Sequence, residues 1–432
     1  MERSNDSPTK HPTLDQQRDA LQKGLGRAWQ WADSGQLSVD LLFDACLNDW
    51  RYDRQCEQNR GPWLWELMHA QGCIDRFRQP ILEKLSQVED EGIAAQLCDL
   101  IYRYAIEGDA ECRDRLGMFV RNGSVAEAPW VGVEYLLWLD GSEAFEMIAR
   151  TRGEALQQRD WQWHDTAVVD KAVDVIGDIP IRSFFAGSSD PHVIRFAEAW
   201  QIEQKKEPFP HQADQEARYA WSPQEVVLWA EALESCGWLR DWGFKANSGD
   251  LEQVAEAIRR CDNPEVIERL LLIFCRRDLP SFADHLMQLC THPTLNVRRR
   301  AFQALANLRS AEVRRFALEQ LEQGDKALAI DLFKSNFEPG DEKRILQAIE
   351  LPENDFHRHG ILIDILYVLK ENVAAADVAD LGLIIYFHTP CSFCRESAVR
   401  LLLGQNAAPA WLLEEARFDA IEEILDQDEE DE

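Results

Sequence analysis

The sequence predicts an all-α fold in which antiparallel helical hairpins stack on one another. The clearest hairpin lies between Thr291 and Gly324. Apolar residues in its first half recur at steps of four, four and three, which places them on one face of a helix: Val297, Ala301, Leu305 and Leu308. A second apolar face precedes Gly324, a residue type common at helix ends: Val313, Phe316, Ala317 and Leu321. Such a hairpin leaves one apolar side uncovered and needs neighbours of its own kind.

Similar patterns recur at intervals typical of helical repeats. Four prolines open comparable segments: Pro191, Pro264, Pro293 and Pro390. Their spacings of 73, 29 and 97 residues correspond to roughly two, one and three units of about 30 to 40 residues. The last two segments match position by position, with Cys394, Arg395, Ala398 and Leu402 standing where Val297, Arg298, Ala301 and Leu305 stand.

These segments resemble the HEAT family of helical repeats. The shared features are a proline that starts the first helix, an apolar residue followed by Arg, and then Ala and Leu at one-turn spacings. The resemblance covers about Pro264 to Asp426, extends with fewer matches back to Pro191, and before that is limited to His11–Leu14, which repeats the letters of His292–Leu295. It implies an α-solenoid whose curved surface holds macromolecules, and it implies no particular reaction.

Composition and the positions of glycine and proline divide the chain into five expected regions. They are a disordered leader (1–12), a tryptophan-rich helical region (13–203), a hydrophilic linker (204–223), a HEAT-like repeat region (224–425) and an acidic disordered tail (426–432). An apolar group near the C-terminus is expected to cap the last hairpin: Trp411, Leu412, Leu413, Phe418, Ile421, Ile424 and Leu425.

The tryptophan-rich region shows helical periodicity throughout. Helices are expected near residues 18–32, 39–51, 62–71, 78–88 and 92–106. A further helical stretch is expected over 131–178, with breaks at Gly141 and Gly153, followed by a loop over 183–191.

Three Trp-X-Trp pairs occur in this region, at Trp29/Trp31, Trp63/Trp65 and Trp161/Trp163. Residues two apart on a helix point in nearly opposite directions, so one ring can enter the core while the other reaches a neighbouring helix. We expect core packing. A binding groove lined by exposed indoles is the alternative.

The net charge of −31 constrains the class of partner. Such an acidic protein repels a phosphate backbone, because nucleic-acid affinity comes mainly from Lys and Arg. Nucleic acid is therefore disfavoured as a partner. In the simpler interpretation, the negative charge keeps the protein soluble. In the more specific one, it attracts a basic protein partner.

Eleven scattered cysteines fit reduced thiols better than a disulfide framework. The first ten residues lack the apolar core of a signal peptide, and no apolar run is long enough to span a membrane. We therefore expect a cytoplasmic protein without a membrane segment.

Cys391-Ser-Phe-Cys394 has the spacing of half a zinc site or of a redox pair. Nearby histidines are His357, His359 and His388. A structural zinc site needs four ligands, however, and the chain has no second Cys-X-X-Cys. Cys394 also stands at the repeat position of Val297, which is a core role. We expect buried thiols and no metal or other cofactor.

Arginines cluster between residues 255 and 320, where 11 basic residues face 8 acidic ones. A structural role is expected for some of them, particularly Arg298 and Arg395, through pairing with carboxylates of adjacent hairpins. The functional alternative is a surface that receives an acidic group. The candidate binding residues are Arg276, Arg277, Arg298, Arg299, Arg300, Arg314 and Arg315. The acidic tail is one acidic group that would compete for this surface.

No Gly-rich phosphate loop, His-Glu-X-X-His motif or Gly-X-Ser-X-Gly elbow occurs. We therefore expect a non-catalytic helical-repeat protein that binds another macromolecule, a protein above all, on its curved surface. One alternative is an acidic inhibitor or immunity protein that neutralises a basic toxin. Another, disfavoured by the acidity, is a DNA glycosylase similar to the HEAT-like alkylation-repair enzymes.

Overall fold

The computed structural model describes residues 11–54, 57–122, 125, 128–205, 218–232 and 236–421. Within these ranges no β-strand occurs, and the only extended pairing is an isolated bridge between Val125 and Ala128. The expected all-α class is confirmed for this part of the chain. None of its helices combines the length and apolar character needed to cross a bilayer.

The chain folds into two compact units, one formed by residues 3–207 and 409–432 and the other by 208–408. The first unit contains α1 (Leu14–Lys23), α2 (Arg27–Asp33), α3 (Val39–Leu47), α4 (Gly61–Ala70), α5 (Ile74–Leu85), α6 (Glu91–Ile106), α7 (Ala110–Arg121), α8 (Val133–Ala155), α9 (Trp163–Ile176), α10 (Asp178–Gly187), α11 (Pro191–Glu203) and the C-terminal α25 (Ala410–Ala416).

The second unit contains α12 (Pro223–Glu231), α13 (Leu239–Lys245), α14 (Ser248–Arg259), α15 (Pro264–Leu271), α16 (Ala283–Leu289), α17 (Leu295–Leu305), α18 (Ala311–Gln323), α19 (Lys326–Ala329), α20 (Phe333–Asn336), α21 (Asp341–Ala348), α22 (Asp355–Glu371), α23 (Ala379–His388) and α24 (Ser392–Gly404). Short 3₁₀ turns occupy Leu272–Phe274, Pro280–Phe282 and Ile330–Leu332.

Helices of the first unit pack against the helix after next as well as against their sequence neighbours. One series runs through α1, α3, α5 and α7, and the other through α2, α4, α6, α8 and α11. Because α6 touches helices of both series, it buries Leu97, Leu100 and Ile101 completely. Each fully buried side chain of this size contributes about 1.5–3 kcal/mol to folding.

The second unit follows the same rule. Helix α15 packs on α12 and α17, the turn Ile330–Leu332 packs on α17 and α22, and α24 packs on α22. A second series connects α18 to α21 and α21 to α23. Sequence neighbours such as α16 with α17 and α23 with α24 form the hairpins.

Three asparagines join the C-terminal ends of adjacent helices in this unit. The last carbonyls of a helix have no partner within the helix. Asn307, Asn336 and Asn372 each donate to a carbonyl four residues earlier and to one at the end of the preceding helix of the series. The carbonyls of the preceding helices are those of Phe274 (3.0 Å), Leu308 (2.8 Å) and Lys334 (3.0 Å).

The two helices singled out from the sequence form, but they do not pair as one closely packed hairpin, because α17 packs on α16 and α18 packs on α19. Helices α17 and α18 are separated by residues 306–310, and Gly324 ends α18. Pro191 and Pro264 stand in the first turns of α11 and α15. Pro293 differs slightly, because it precedes Thr294, the N-cap residue of α17.

Three helix boundaries differ from the prediction. The single helix over 18–32 is divided by Gly24, whose left-handed φ of 75° ends α1. The prediction of a loop over residues 183–191 was wrong for residues 183–187, because α10 continues to Gly187 and buries Phe185. Gly141 (φ 52°) does kink α8, but Gly153 stays helical.

Gly153 is required by close packing rather than by a turn. A Cβ atom at this position would lie 1.8 Å from the carbonyl oxygen of His192 in α11. The absence of a side chain therefore lets α8 and α11 approach each other directly.

Core packing holds for two of the three Trp-X-Trp pairs. Trp31, Trp63 and Trp65 are buried, and Trp29 stacks on Phe418 at a centroid distance of 4.0 Å. The third pair differs, because Trp163 is 65% exposed at the start of α9.

Residues 409–421, part of the segment expected to cap the last hairpin of the repeat region, belong to the first unit. Arg27 binds Glu415 through two hydrogen bonds of 2.7 and 2.9 Å, and Trp63 donates its indole N–H to the carbonyl of Phe418. Ile424, Leu425, the tail 426–432 and most of the expected leader (1–12) and linker (204–223) lie outside the described residues.

Replacing Glu415 with alanine should destabilise the first unit by about 3 kcal/mol, because it leaves the mostly buried Arg27 without this carboxylate. Glu414 is exposed beside it, so Glu414→Ala should change stability by less than about 0.5 kcal/mol. Denaturant unfolding followed by tryptophan fluorescence measures both. Equal losses in the two variants would contradict the assignment of this segment.

Gly153→Ala should lower the free energy of unfolding by about 2 kcal/mol, because the added methyl group meets backbone that cannot move independently. Gly117 in α7 has only an ordinary contact of 3.9 Å at the equivalent Cβ position. Gly117→Ala should therefore be neutral or stabilise by up to about 1 kcal/mol. Chemical denaturation of the two variants distinguishes close packing from helix propensity.

Candidate functional site

Two arginines of the predicted binding set hold neighbouring hairpins of the second unit together. Arg314 on α18 binds Asp341 at 2.6 Å and Glu338 at 2.9 Å. Arg298 on α17 donates to the carbonyls of His292 and Pro293 and lies 3.7 Å from Asp325.

Arg358 repeats the geometry of Arg298 two hairpins later. It donates to the carbonyls of Pro352 and Glu353, which lie six and five residues earlier, as His292 and Pro293 do for Arg298. Both arginines thus fasten the segment before a helix to its first turn. In both segments a proline precedes the arginine by five or six residues. This spacing could have indicated Arg358 from the sequence, but the prediction did not include it.

The other predicted arginines have different surroundings. Arg276 lies 3.5 Å from Asp241, Arg277 donates to the carbonyl of Phe244, and Arg300 donates to Gln303. Arg299 and Arg315 are exposed. The set is therefore divided between intramolecular bonds and solvent.

Arg299 faces a pair of carboxylates. Burial, and secondarily the neighbouring Asp331, raise the pKa of Asp364 to about 8, although Lys334 and Arg299 oppose this shift. Lys334 lies 2.7 Å from Asp331 and 5.2 Å from the centre of the Tyr367 ring. The raised pKa keeps the Asp364 carboxyl group protonated at neutral pH.

His359, Cys391 and Cys394 form a second cluster, at the contact of α22 with α24. Cys391 is the N-cap residue of α24, Cys394 lies in its first turn, and His359 lies in the second turn of α22. His359 Nε2 is 3.2 Å from Cys394 Sγ, and one donor atom from each of the three residues fits within 4.8 Å of the others.

The expected burial of both cysteines is observed, with exposures of 7% for Cys391 and 5% for Cys394. The sequence analysis named His359 as a nearby histidine. Its contact with Cys394, 35 residues later in the chain, depends on how α22 and α24 pack together. His357 is exposed, and the carbonyl of His388 accepts a hydrogen bond from Arg358.

The two thiols have opposite pKa shifts. The hydrogen bond from Cys394 lowers the pKa of Cys391 to about 4, with help from His359 and against the effect of burial. The same hydrogen bond and burial raise the pKa of Cys394. The cluster thus brings together two cysteine sulfurs and one imidazole nitrogen, a donor set that suits zinc and other thiophilic ions.

Three large apolar side chains are exposed at the starts of helices in the second unit. Leu295 begins α17, and Phe356 and Phe393 are the second residues of α22 and α24. Their exposures are 48%, 68% and 45%. Phe356 stands two residues before Arg358, and Phe393 stands two residues before Arg395. This shared spacing is visible in the sequence and could have indicated both side chains.

An open cavity of about 610 Å³ lies in the same unit. Ile330, Ile345 and Ile361 form its apolar lining, and the ion pair between Lys326 and Glu350 lies at its side. Its size and lining suit an apolar side chain framed by charged groups.

No protein-family model matches the chain, and neither the curated proteins nor the solved structures give a match. The resemblance to HEAT repeats therefore stays a prediction.

Asp364→Asn should make the protein more stable than wild type as the pH rises. Because the folded-state pKa is raised to about 8, the unfolded chain loses the Asp364 proton from about pH 4, while the folded chain retains it. The wild type should therefore lose stability between these pH values relative to the variant, by about 1 kcal/mol or more at pH 8.

Unfolding of both proteins between pH 5 and 8.5 provides the measurement. Asp355→Asn, on the same helix, is the matched control and should show no such divergence. A constant difference between Asp364→Asn and wild type across this range would contradict the raised pKa.

Proposed function

We propose that the protein is a non-catalytic α-solenoid of HEAT-like repeats that binds another protein, in the cytoplasm, through the second unit. The packing of many helices on a helix two or three positions along the chain supports this architecture, as do the asparagines that join successive helix ends. Stacked hairpins of this kind offer a long surface to an extended partner.

The exposed side chains of Leu295, Phe356 and Phe393 carry the assignment of the binding surface. Large apolar side chains gain free energy when a partner removes them from water. Two of them stand at the same register on α22 and α24, which pack together, so they form one edge rather than scattered contacts. Aromatic residues are common anchors in protein interfaces.

The open cavity adds a second anchor point. Its isoleucine lining accepts an apolar side chain of the partner, and Lys326 and Glu350 provide polar contacts beside it. An amphipathic helix has the required combination of apolar and charged groups.

Charge favours a protein over nucleic acid. Residues 208–408 contain 30 acidic and 22 basic residues. Several arginines that would otherwise contact phosphates, including Arg298 and Arg314, are already bonded within the unit. The glycosylase alternative therefore gains no support.

The acidic-inhibitor alternative has one observation in its favour. Residues 3–207 and 409–432 contain 46 acidic and only 24 basic residues. A basic partner would associate with this unit quickly at low salt and more slowly as salt screens the attraction.

A photoreactive amino acid placed at position 356 or 393 should cross-link to one and the same partner in native cells. The control position is Ile202, which is 63% exposed in the first unit. Phe356→Ser should weaken binding of the identified partner at least tenfold, because it removes an apolar anchor.

Titration of the purified partner at low and high salt then separates the two candidates. Affinity that depends on Phe356 and varies little with salt supports the apolar surface. Cross-linking at position 202 alone, with steep salt dependence, would favour the acidic inhibitor and reject the proposed surface.

A further inference from the structure

We propose that His359, Cys391 and Cys394 form a binding site for a thiophilic metal ion of the zinc type. The site goes beyond the proposed protein binding and does not depend on it. It would connect α22 to the N-terminus of α24 through one nitrogen and two sulfur donors.

The separations of the donor atoms are close to those of a tetrahedral zinc site. With zinc bonds of about 2.0–2.1 Å to nitrogen and about 2.3 Å to sulfur, tetrahedral angles place N and S about 3.6 Å apart and two S atoms about 3.8 Å apart. The Nε2–Sγ distance of 3.2 Å lies slightly below the first value, and all donor atoms lie within 4.8 Å. Bringing donor atoms from separations of up to 4.8 Å to these values takes a movement of up to about 1 Å, which rotation of the side chains can supply.

Accessibility favours a metal over thiol–disulfide exchange. Exchange requires another sulfur to approach a thiolate along the line of the bond that forms. Cys391 and Cys394 are 7% and 5% exposed, which restricts such an approach, whereas a single ion needs little space.

The surroundings hold the donors in place. Thr389 is completely buried, and its hydroxyl accepts a hydrogen bond from the backbone N–H of Cys391 at 3.2 Å. It also interacts with Cys394. Such neighbours orient metal ligands in known sites. Three protein donors leave the fourth tetrahedral position to water or an external ligand.

Cobalt(II) titration of the full-length, metal-stripped protein, kept reduced with a phosphine, tests the site. We expect one equivalent of Co²⁺ to produce sulfur-to-metal charge-transfer bands and the visible bands of a tetrahedral ion. Zn²⁺ should then abolish these bands. Cys391→Ser, Cys394→Ser and His359→Ala should each lower zinc affinity at least tenfold in competition with a chromophoric chelator.

His357→Ala is the matched control for the histidine, and Cys261→Ser is the control for the thiols. Both residues lie outside the cluster and both variants should bind zinc as wild type does. Absence of the cobalt bands in reduced, folded wild type would overturn the proposal. So would unchanged bands in the Cys391→Ser/Cys394→Ser double variant.

A second measurement uses the wild type alone and so does not depend on whether a variant folds. Zinc should slow alkylation of Cys391 and Cys394 at least tenfold, as followed by peptide mass spectrometry, and should leave Cys236 and Cys261 unchanged. Equal protection of all cysteines, or a Cys391–Cys394 disulfide that forms despite zinc, would reject the site.

Discussion

The structure depends on covering the apolar face that each short helix leaves open. A helix of about ten residues is marginal alone, and most of its stability comes from tertiary packing. Many helices here pack on a sequence neighbour and also on a helix two or three positions along the chain. This arrangement also places helix ends side by side, where unsatisfied carbonyls would accumulate. Asn307, Asn336 and Asn372 supply donors at those ends.

Charged side chains serve the same packing in several places. Arg314 and Arg298 connect helices to the loops of the next hairpin, and Arg27 does so for the C-terminal segment. Guanidinium groups suit this work because their planar arrangement of donors binds carboxylates and carbonyls together. An arginine-rich stretch is therefore compatible with internal bonding, although some of its members, such as Arg276 and Arg315, stay exposed.

Functional features concentrate where helices of the second unit begin. First turns expose backbone N–H groups that favour anionic groups such as thiolates. At α24 this position brings Cys391 and Cys394 beside His359, while Phe393 between them faces outward. The same turn thus places an exposed apolar side chain beside two buried sulfur donors. These are separate properties, since one involves exposed carbon and the other buried sulfur.

The sequence alone determined the helical class, the separate helices α17 and α18, and the burial of Cys394, because these follow from local periodicity and turn residues. It did not determine that α17 pairs with α16. Helix boundaries such as Gly24 were harder to predict from the sequence. A glycine can end a helix, or it can lie within a helix and permit close packing, as Gly153 does. Only the tertiary structure decided that Arg27 meets Glu415 and that His359 meets Cys394. Such contacts arise from the packing of whole helices far apart in sequence, and no local pattern specifies which side chains will then face each other.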